Sequence, residues 1–297
     1  MGVGLTSIFN NTLASTILSF VLFVLAFMIF KNNKNDFLEH LALAISLAGQ
    51  ALIIIILYRH FKTDTELLWF IIAMLQIALA FVMPNYIHRL FSAYFATMAL
   101  FTSFVSFTSV LVPLFMMVAV YLWRYEFKYP KHIQKMQAFG YGVVLALIQV
   151  EASGGYEKLF YLLSHMKHSV IWMPWLESVL TTIVVFYMVF IIIKEYNPKL
   201  TKELLIVFIS AFVVLSCSAY YIPGVMLGVL IILLGFNHSN RILLGLGIIS
   251  LLYYVSAYYY QLNVTLLEKS MIFIALGVLL LLGRWLAFSK LLLKKEL

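Results

Sequence analysis

Leu90–Trp123 reads LFSAYFATMALFTSFVSFTSVLVPLFMMVAVYLW and contains no Asp, Glu, Lys, Arg or His. As one helix rising 1.5 Å per residue it would be about 51 Å long, against about 30 Å of bilayer hydrocarbon. It therefore has to turn, and the hydroxyl-rich stretch Ser103–Ser109 is the expected place. A second uncharged run, LLIVFISAFVVLSCSAYYIPGVMLGVLIILLGFNHSN at Leu204–Asn240, would reach about 55 Å. Its turn is expected at Pro223-Gly224.

The rest of the chain follows the same pattern. With 20 Lys/Arg and 12 Asp/Glu in 297 residues, 64% hydrophobic residues and a mean hydropathy of +1.02, charge is sparse. It is also missing from Met1–Phe30 and Ile242–Leu267. These features exclude a soluble globular domain, a disordered chain and a nucleic-acid binder. An outer-membrane barrel would alternate polar and apolar residues, which these runs do not. The expectation is an all-α, polytopic transmembrane helix bundle, a single integral membrane domain over 1–297. Eleven spans are expected, at 12–30, 37–58, 67–83, 88–103, 106–123, 136–150, 170–193, 204–222, 224–237, 242–260 and 266–286.

Lys and Arg are retained on the cytoplasmic side of bacterial and other cell membranes, so their distribution orients the chain. Alternate loops gather fifteen of them on one side: Lys31, Lys34, Arg89, Arg124, Lys128, Lys131, Lys135, Lys194, Lys199, Lys202, Arg241, Arg284, Lys290, Lys294 and Lys295. Five fall on the other: Arg59, Lys62, Lys158, Lys167 and Lys269. The bias places the N-terminus outside and the C-terminus in the cytoplasm. It also accounts for the net charge of +8 without an acidic partner. The start of the chain lacks a basic n-region and runs directly into a span, unlike a cleaved signal peptide. The single Cys217 rules out a disulfide framework.

The one long external connection is 151–170. Leu159, Leu162, Leu163, Met166 and Val170 fall on one face, opposed by Glu157, Lys158, His165 and Lys167, which predicts an interfacial helix. Trp172 and Trp175 flank Pro174 at the entry to the next span.

Few polar residues fall inside spans, so few can carry chemistry. Glu177 is a candidate because an intramembrane carboxylate often marks an ion or proton path. The alternative places it in the first turn of a helix begun by Pro174, favoured by the helix dipole. Gln50 and Gln76 lie at matching depths on antiparallel neighbours and are expected to pair as a structural clamp, with a permeation site as the alternative. The acids and histidines His60, Asp64, Glu66, Glu151, Glu157, His165 and His168 lack ligand-grade spacing and are expected to be solvated at the interface. Tyr220, Tyr221, Tyr253, Tyr254 and Tyr258–Tyr260 read as an aromatic belt, with a stacking site for an amphipathic ligand as the alternative. Gly224 and Gly228 form a small-xxx-small pair suited to close packing. No nucleophile elbow, phosphate loop, metal motif, cofactor motif or intramembrane aspartyl pair is present, which disfavours an enzyme.

From Pro223-Gly224 onward, Gly235-Phe236, Asn240-Arg241, Tyr258-Tyr259-Tyr260-Gln261-Leu262 and Thr265-Leu266-Leu267-Glu268-Lys269-Ser270 are followed by Gly277 and Arg284. This region, 223–297, resembles the bacterial membrane-protein family called domain of unknown function 4401. The resemblance implies a multipass protein of the bacterial cytoplasmic (inner) membrane with no assigned activity. It also implies neighbouring small membrane proteins, including one with a GDYXXLXY motif, as partners beside the lipid bilayer. Lys269 falls in the first turn of the last span, where a cation opposes the dipole, so it either snorkels outward or pairs with a carboxylate such as Glu177. Two functional classes stay open: a non-catalytic component of an envelope membrane complex, and a small-solute transporter or channel. A polar cavity at mid-depth would favour transport, and a solid bundle would favour assembly.

Overall fold

A computed structural model of the chain describes residues 11–32, 35–61, 64–153, 174–196 and 224–261, with isolated positions beyond them. Among the described residues the regular structure is helical throughout. We number the helices α1 (Thr12–Asn32), α2 (Asp36–His60), α3 (Thr65–Val82), α4 (Tyr86–Ser103), α5 (Thr108–Tyr125), α6 (Ile133–Ala152), α7 (Pro174–Tyr196), α8 (Val225–Asn237) and α9 (Arg241–Gln261). Each coincides within a few residues with an expected span. The other two expected spans, 204–222 and 266–286, fall largely outside the described residues, as does the 154–170 part of the interfacial helix. The chain divides into two compact units, Met1–Leu251 and Leu252–Leu297.

Asx residues set where the helices begin. Asn35, Asp64, Asn85 and Asn240 each accept a backbone N–H from the first turn, those of Phe37, Leu67, His88 and Leu243, at 3.0–3.1 Å. These bonds satisfy donors that have no partner within the helix, so four short polar turns become sharp helix starts. The turn in the long uncharged run falls where its length demands. α4 ends at Ser103, one 3-10 turn covers Val105–Phe107, and α5 begins at Thr108, whose Oγ1 donates to Val105 O at 2.6 Å.

Among the described residues, six helices are long and apolar enough to cross a membrane: Thr12–Asn32, Asp36–His60, Thr65–Val82, Val105–Lys128, Trp175–Glu195 and Arg241–Tyr260. The chain is a helical membrane protein. α4, α6 and α8 fall short of that measure for different reasons. α4 carries His88 and Arg89 near its start, α6 carries Lys135, three glutamines and Glu151, and α8 has 13 residues. Half of the residues of α4 and of α6 are buried, a larger share than in any of the six long apolar helices. α4 packs against α3 on one side and α6 on the other, and α6 also packs against α5.

Small residues bring these helices together. Ala93, Ala96 and Ala99 of α4 are at most 5% exposed. At Gly142 of α6 a Cβ would lie 2.6 Å from Leu90 O and 2.9 Å from Tyr94 N, so only glycine permits this crossing of α4. Close backbone approach of this kind is how membrane helices gain packing energy, because lipid offers no hydrophobic drive between them. The glycine pair expected as a packing stripe separates into two roles. Gly228 meets Leu251 of α9, whereas Gly224 caps α8 with φ 81°, a left-handed conformation that suits glycine.

A candidate site in a buried histidine–amide network

Ser46 and Gln50 sit one turn apart on α2, and His88 and Ser92 one turn apart on α4. Gln76 comes from α3. All five are at most 4% exposed. Gln76 Nε2 donates to Gln50 Oε1 at 2.9 Å, so the amide pairing expected from the sequence is present. With its oxygen thus engaged, Gln50 turns its Nε2 toward His88 Nε2 at 3.2 Å. Ser46 Oγ lies 2.7 Å from the same ring nitrogen, and Ser92 Oγ lies 3.3 Å from Nδ1. An amide N–H only donates, so Nε2 accepts and the ring proton sits on Nδ1, facing Ser92. Phe30 of α1 packs edge-on to the ring at 5.9 Å.

Arg89 departs from expectation. Read from the sequence as a loop cation, it is 5% exposed. Its Nε donates to Ala80 O at 2.9 Å and its Nη2 to Met83 O at 2.8 Å. Both acceptors belong to the C-terminal end of α3, where carbonyls lack intrahelical partners and the dipole is negative. The guanidinium is therefore the staple of the α3–α4 turn. Asn85, in the same turn, donates from Nδ2 to Glu39 Oε2 of α2 at 3.1 Å.

Glu177 lies in the first turn of α7, after Pro174. Glu151, expected to be solvated at the interface, is instead 8% exposed and hydrogen-bonded to Glu177. The α6 helix extends past the expected end of its span, and that extension carries Glu151 under cover. A third polar group forms where α5, α6 and the α8–α9 turn meet. Glu126, 2% exposed, accepts from Gln137 Nε2 at 3.2 Å, and Tyr141 OH donates to Asn240 Oδ1 at 2.9 Å.

Lys269 lies outside the described residues, as do Leu262, Thr265 and Leu266 of the family string. Tyr258, Tyr259 and Tyr260 close α9, with the last two rings edge-to-face at 5.5 Å. Leu267 and Ser270 are exposed, and Ser270 Oγ donates to Leu267 O at 2.8 Å. Among the described residues no group of three or more His, Cys, Asp or Glu is placed to hold a metal ion.

A cleft of about 330 Å³ opens beside the network, between α2, α3 and α4. Gln50 and Gln76 are among its walls, with Trp69, Tyr94, Phe95 and Met98. A second cleft of about 450 Å³ shares Ile54, Trp69 and Ile72 with it.

A bundle of apolar helices that shields a histidine–amide–hydroxyl chain in its interior defines a multipass membrane protein. The model of the family described as Domain of unknown function (DUF4401) matches residues 1–289, and the chain belongs to that family. No curated protein and no solved structure matches it. The sequence reading rested on the last quarter of the chain, whereas the family match spans nearly all of it.

Proposed function

We propose that the chain is a non-catalytic multipass component of a membrane complex in the bacterial cytoplasmic membrane. In this reading it has eleven spans, an external N-terminus and a cytoplasmic C-terminus, as the distribution of Lys and Arg supports. One observation carries the reading: apart from Gln76 Oε1, the polar side chains of the network on α2, α3 and α4 are used on one another. Ser46, Gln50, Gln76, His88 and Ser92 form one chain of hydrogen bonds, and Arg89 is taken by two backbone carbonyls. A permeation path for a polar solute would instead line a wet cavity with such groups. The cleft beside Gln50 and Gln76 is walled mostly by apolar and aromatic side chains.

The test is co-expression of the tagged chain with the GDYXXLXY-motif membrane protein and purification in mild detergent. Equimolar co-elution through gel filtration is the expected result. Recovery of the chain by itself, together with dissipation of a proton gradient by vesicles containing only this chain, would overturn the reading. Those findings would favour proton-coupled transport, for which the pairing of the carboxyl groups of Glu151 and Glu177 is the specific support. A fluorescent-protein fusion to the C-terminus tests the orientation, with cytoplasmic fluorescence expected.

A further inference from the structure

The connection between α5 and α6 concentrates positive charge at one end of the bundle, with Lys128, Lys131, His132 and Lys135 all exposed. The one acid of the segment does not offset them, because Glu126 is 2% exposed and engaged by Gln137 Nε2. Arg124 pairs with Glu195 at 3.7 Å. Among the described residues the three lysines have no carboxylate partner, and Lys128 Nζ lies over the Tyr125 ring, 5.4 Å from its centroid.

Other helix starts are balanced differently. α2 opens with Asp36 and Glu39 in its first turn, and α2, α3, α4 and α9 each take an Asx cap. α6 opens on His132, which makes no side-chain cap bond, and has no acid in its first turn. Lys131, His132 and Lys135 therefore crowd the positive end of a helix dipole, and no described carboxylate relieves them. The same segment carries Phe127 and Tyr129, 64% and 45% exposed. The Phe127 ring lies nearly parallel to that of His238, 6.4 Å away, so the α8–α9 turn with its exposed Phe236 and Arg241 adjoins the segment. Exposed rings beside exposed cations suit neither bulk water nor hydrocarbon. They suit the headgroup layer, where rings meet the upper acyl chains and cations meet phosphate.

We propose that this surface holds an anionic phospholipid, its negative headgroup held by the charge of Lys128, Lys131 and Lys135 and its acyl chains lying against the exposed rings. A soluble phosphate would meet the lysines but leave Phe127 and Tyr129 in water. A zwitterionic lipid would cover the rings but bring its own ammonium into the cluster. An anionic phospholipid meets both demands.

The full chain would be purified in a neutral maltoside detergent, and binding of acyl-labelled fluorescent phosphatidylglycerol and phosphatidylcholine followed by anisotropy. One cation near an anionic headgroup is worth about a factor of five, so the native chain is expected to prefer phosphatidylglycerol by roughly a hundredfold. Lys128→Gln, Lys131→Gln and Lys135→Gln are each expected to cut that preference by about fivefold, and the triple substitution to abolish it. All three side chains are exposed, so these variants keep the fold. Lys31→Gln, in the last turn of α1, is expected to leave the preference unchanged. Equal binding of the two lipids by the native chain, or a preference that survives the triple substitution, would overturn the proposal. An equal loss in Lys31→Gln would overturn it too, since any cation at the membrane surface would then serve. So would displacement of the labelled phosphatidylglycerol by inorganic phosphate at constant ionic strength, which would make the occupant a soluble anion.

Discussion

Gly142→Ala isolates the crossing of α4 and α6, because the added methyl meets fixed atoms. A Cβ there would lie 2.6 Å from Leu90 O, 2.7 Å from Ala93 Cβ and 2.9 Å from Tyr94 N. Ordinary contacts are about 3.5 Å or longer, so the two helices must part by up to about 1 Å. Backbone atoms cannot swing aside as a side-chain tip can, which puts the cost toward the top of the overpacking range of about 1–3 kcal/mol. Alanine also returns about 0.5–1 kcal/mol, because glycine in a helix interior costs that much in backbone entropy. The net expectation is destabilisation by about 1–2 kcal/mol. Gly245 of α9 is the control, since a Cβ there meets nothing within 4 Å. Gly245→Ala should keep the entropic gain and stabilise the protein by up to about 1 kcal/mol. Reversible unfolding in mixed SDS–maltoside micelles, followed by circular dichroism, reads both. If the two substitutions shift stability in the same direction, the close crossing is not what glycine is there for.

Three further outcomes follow from the polar contacts, all read by the same unfolding assay. In a double-mutant cycle, Gln50→Met and Gln76→Met should couple by about 0.6 kcal/mol and no more than about 1.7, the range for interhelical hydrogen bonds in membranes; zero coupling would remove the amide pair from the network. Arg89→Lys should cost about 1–2 kcal/mol, because an ammonium cannot reproduce the planar grip on Ala80 O and Met83 O; native stability would show that charge alone suffices. Asn240→Ala should cost about 1–2 kcal/mol by removing both the cap of α9 and the acceptor for Tyr141 OH, and once it is made, Tyr141→Phe should add almost nothing.

Much of the architecture was written in lengths. An uncharged run too long for one crossing had to turn, and the Ser103–Ser109 stretch holds that turn because hydroxyls such as that of Thr108 serve backbone carbonyls there. The amide pair was equally legible, since antiparallel neighbours joined by a short turn bring equal depths together, and Gln50 and Gln76 are equally deep. Glu177 in the first turn of α7 followed from Pro174. Its partner did not, because nothing local says that α6 continues to Ala152 and folds Glu151 inward.

His88 and Arg89 escaped for a more general reason. Sequence patterning ranks a polar residue by its distance along the chain from the nearest apolar run, and both stand at the edge of one. Exposure in a membrane protein is decided instead by which neighbours surround a helix. α4 lies between α3 and α6, so its polar first turns meet protein where a lipid-facing helix would meet hydrocarbon. Leu13, Ile17 and Phe20 of α1, by contrast, are 64–74% exposed. Polar side chains are thus held wherever a helix face meets protein, Ser46, Gln50 and Gln76 on α2 and α3 as well as His88 and Ser92 on α4, and a signal for them did exist. Ser46 with Gln50, and His88 with Ser92, are polar pairs at i,i+4, so each pair shares one helix face and each face calls for a polar counterpart. Matching such faces across helices, rather than measuring distance to a span end, is what would have found the site.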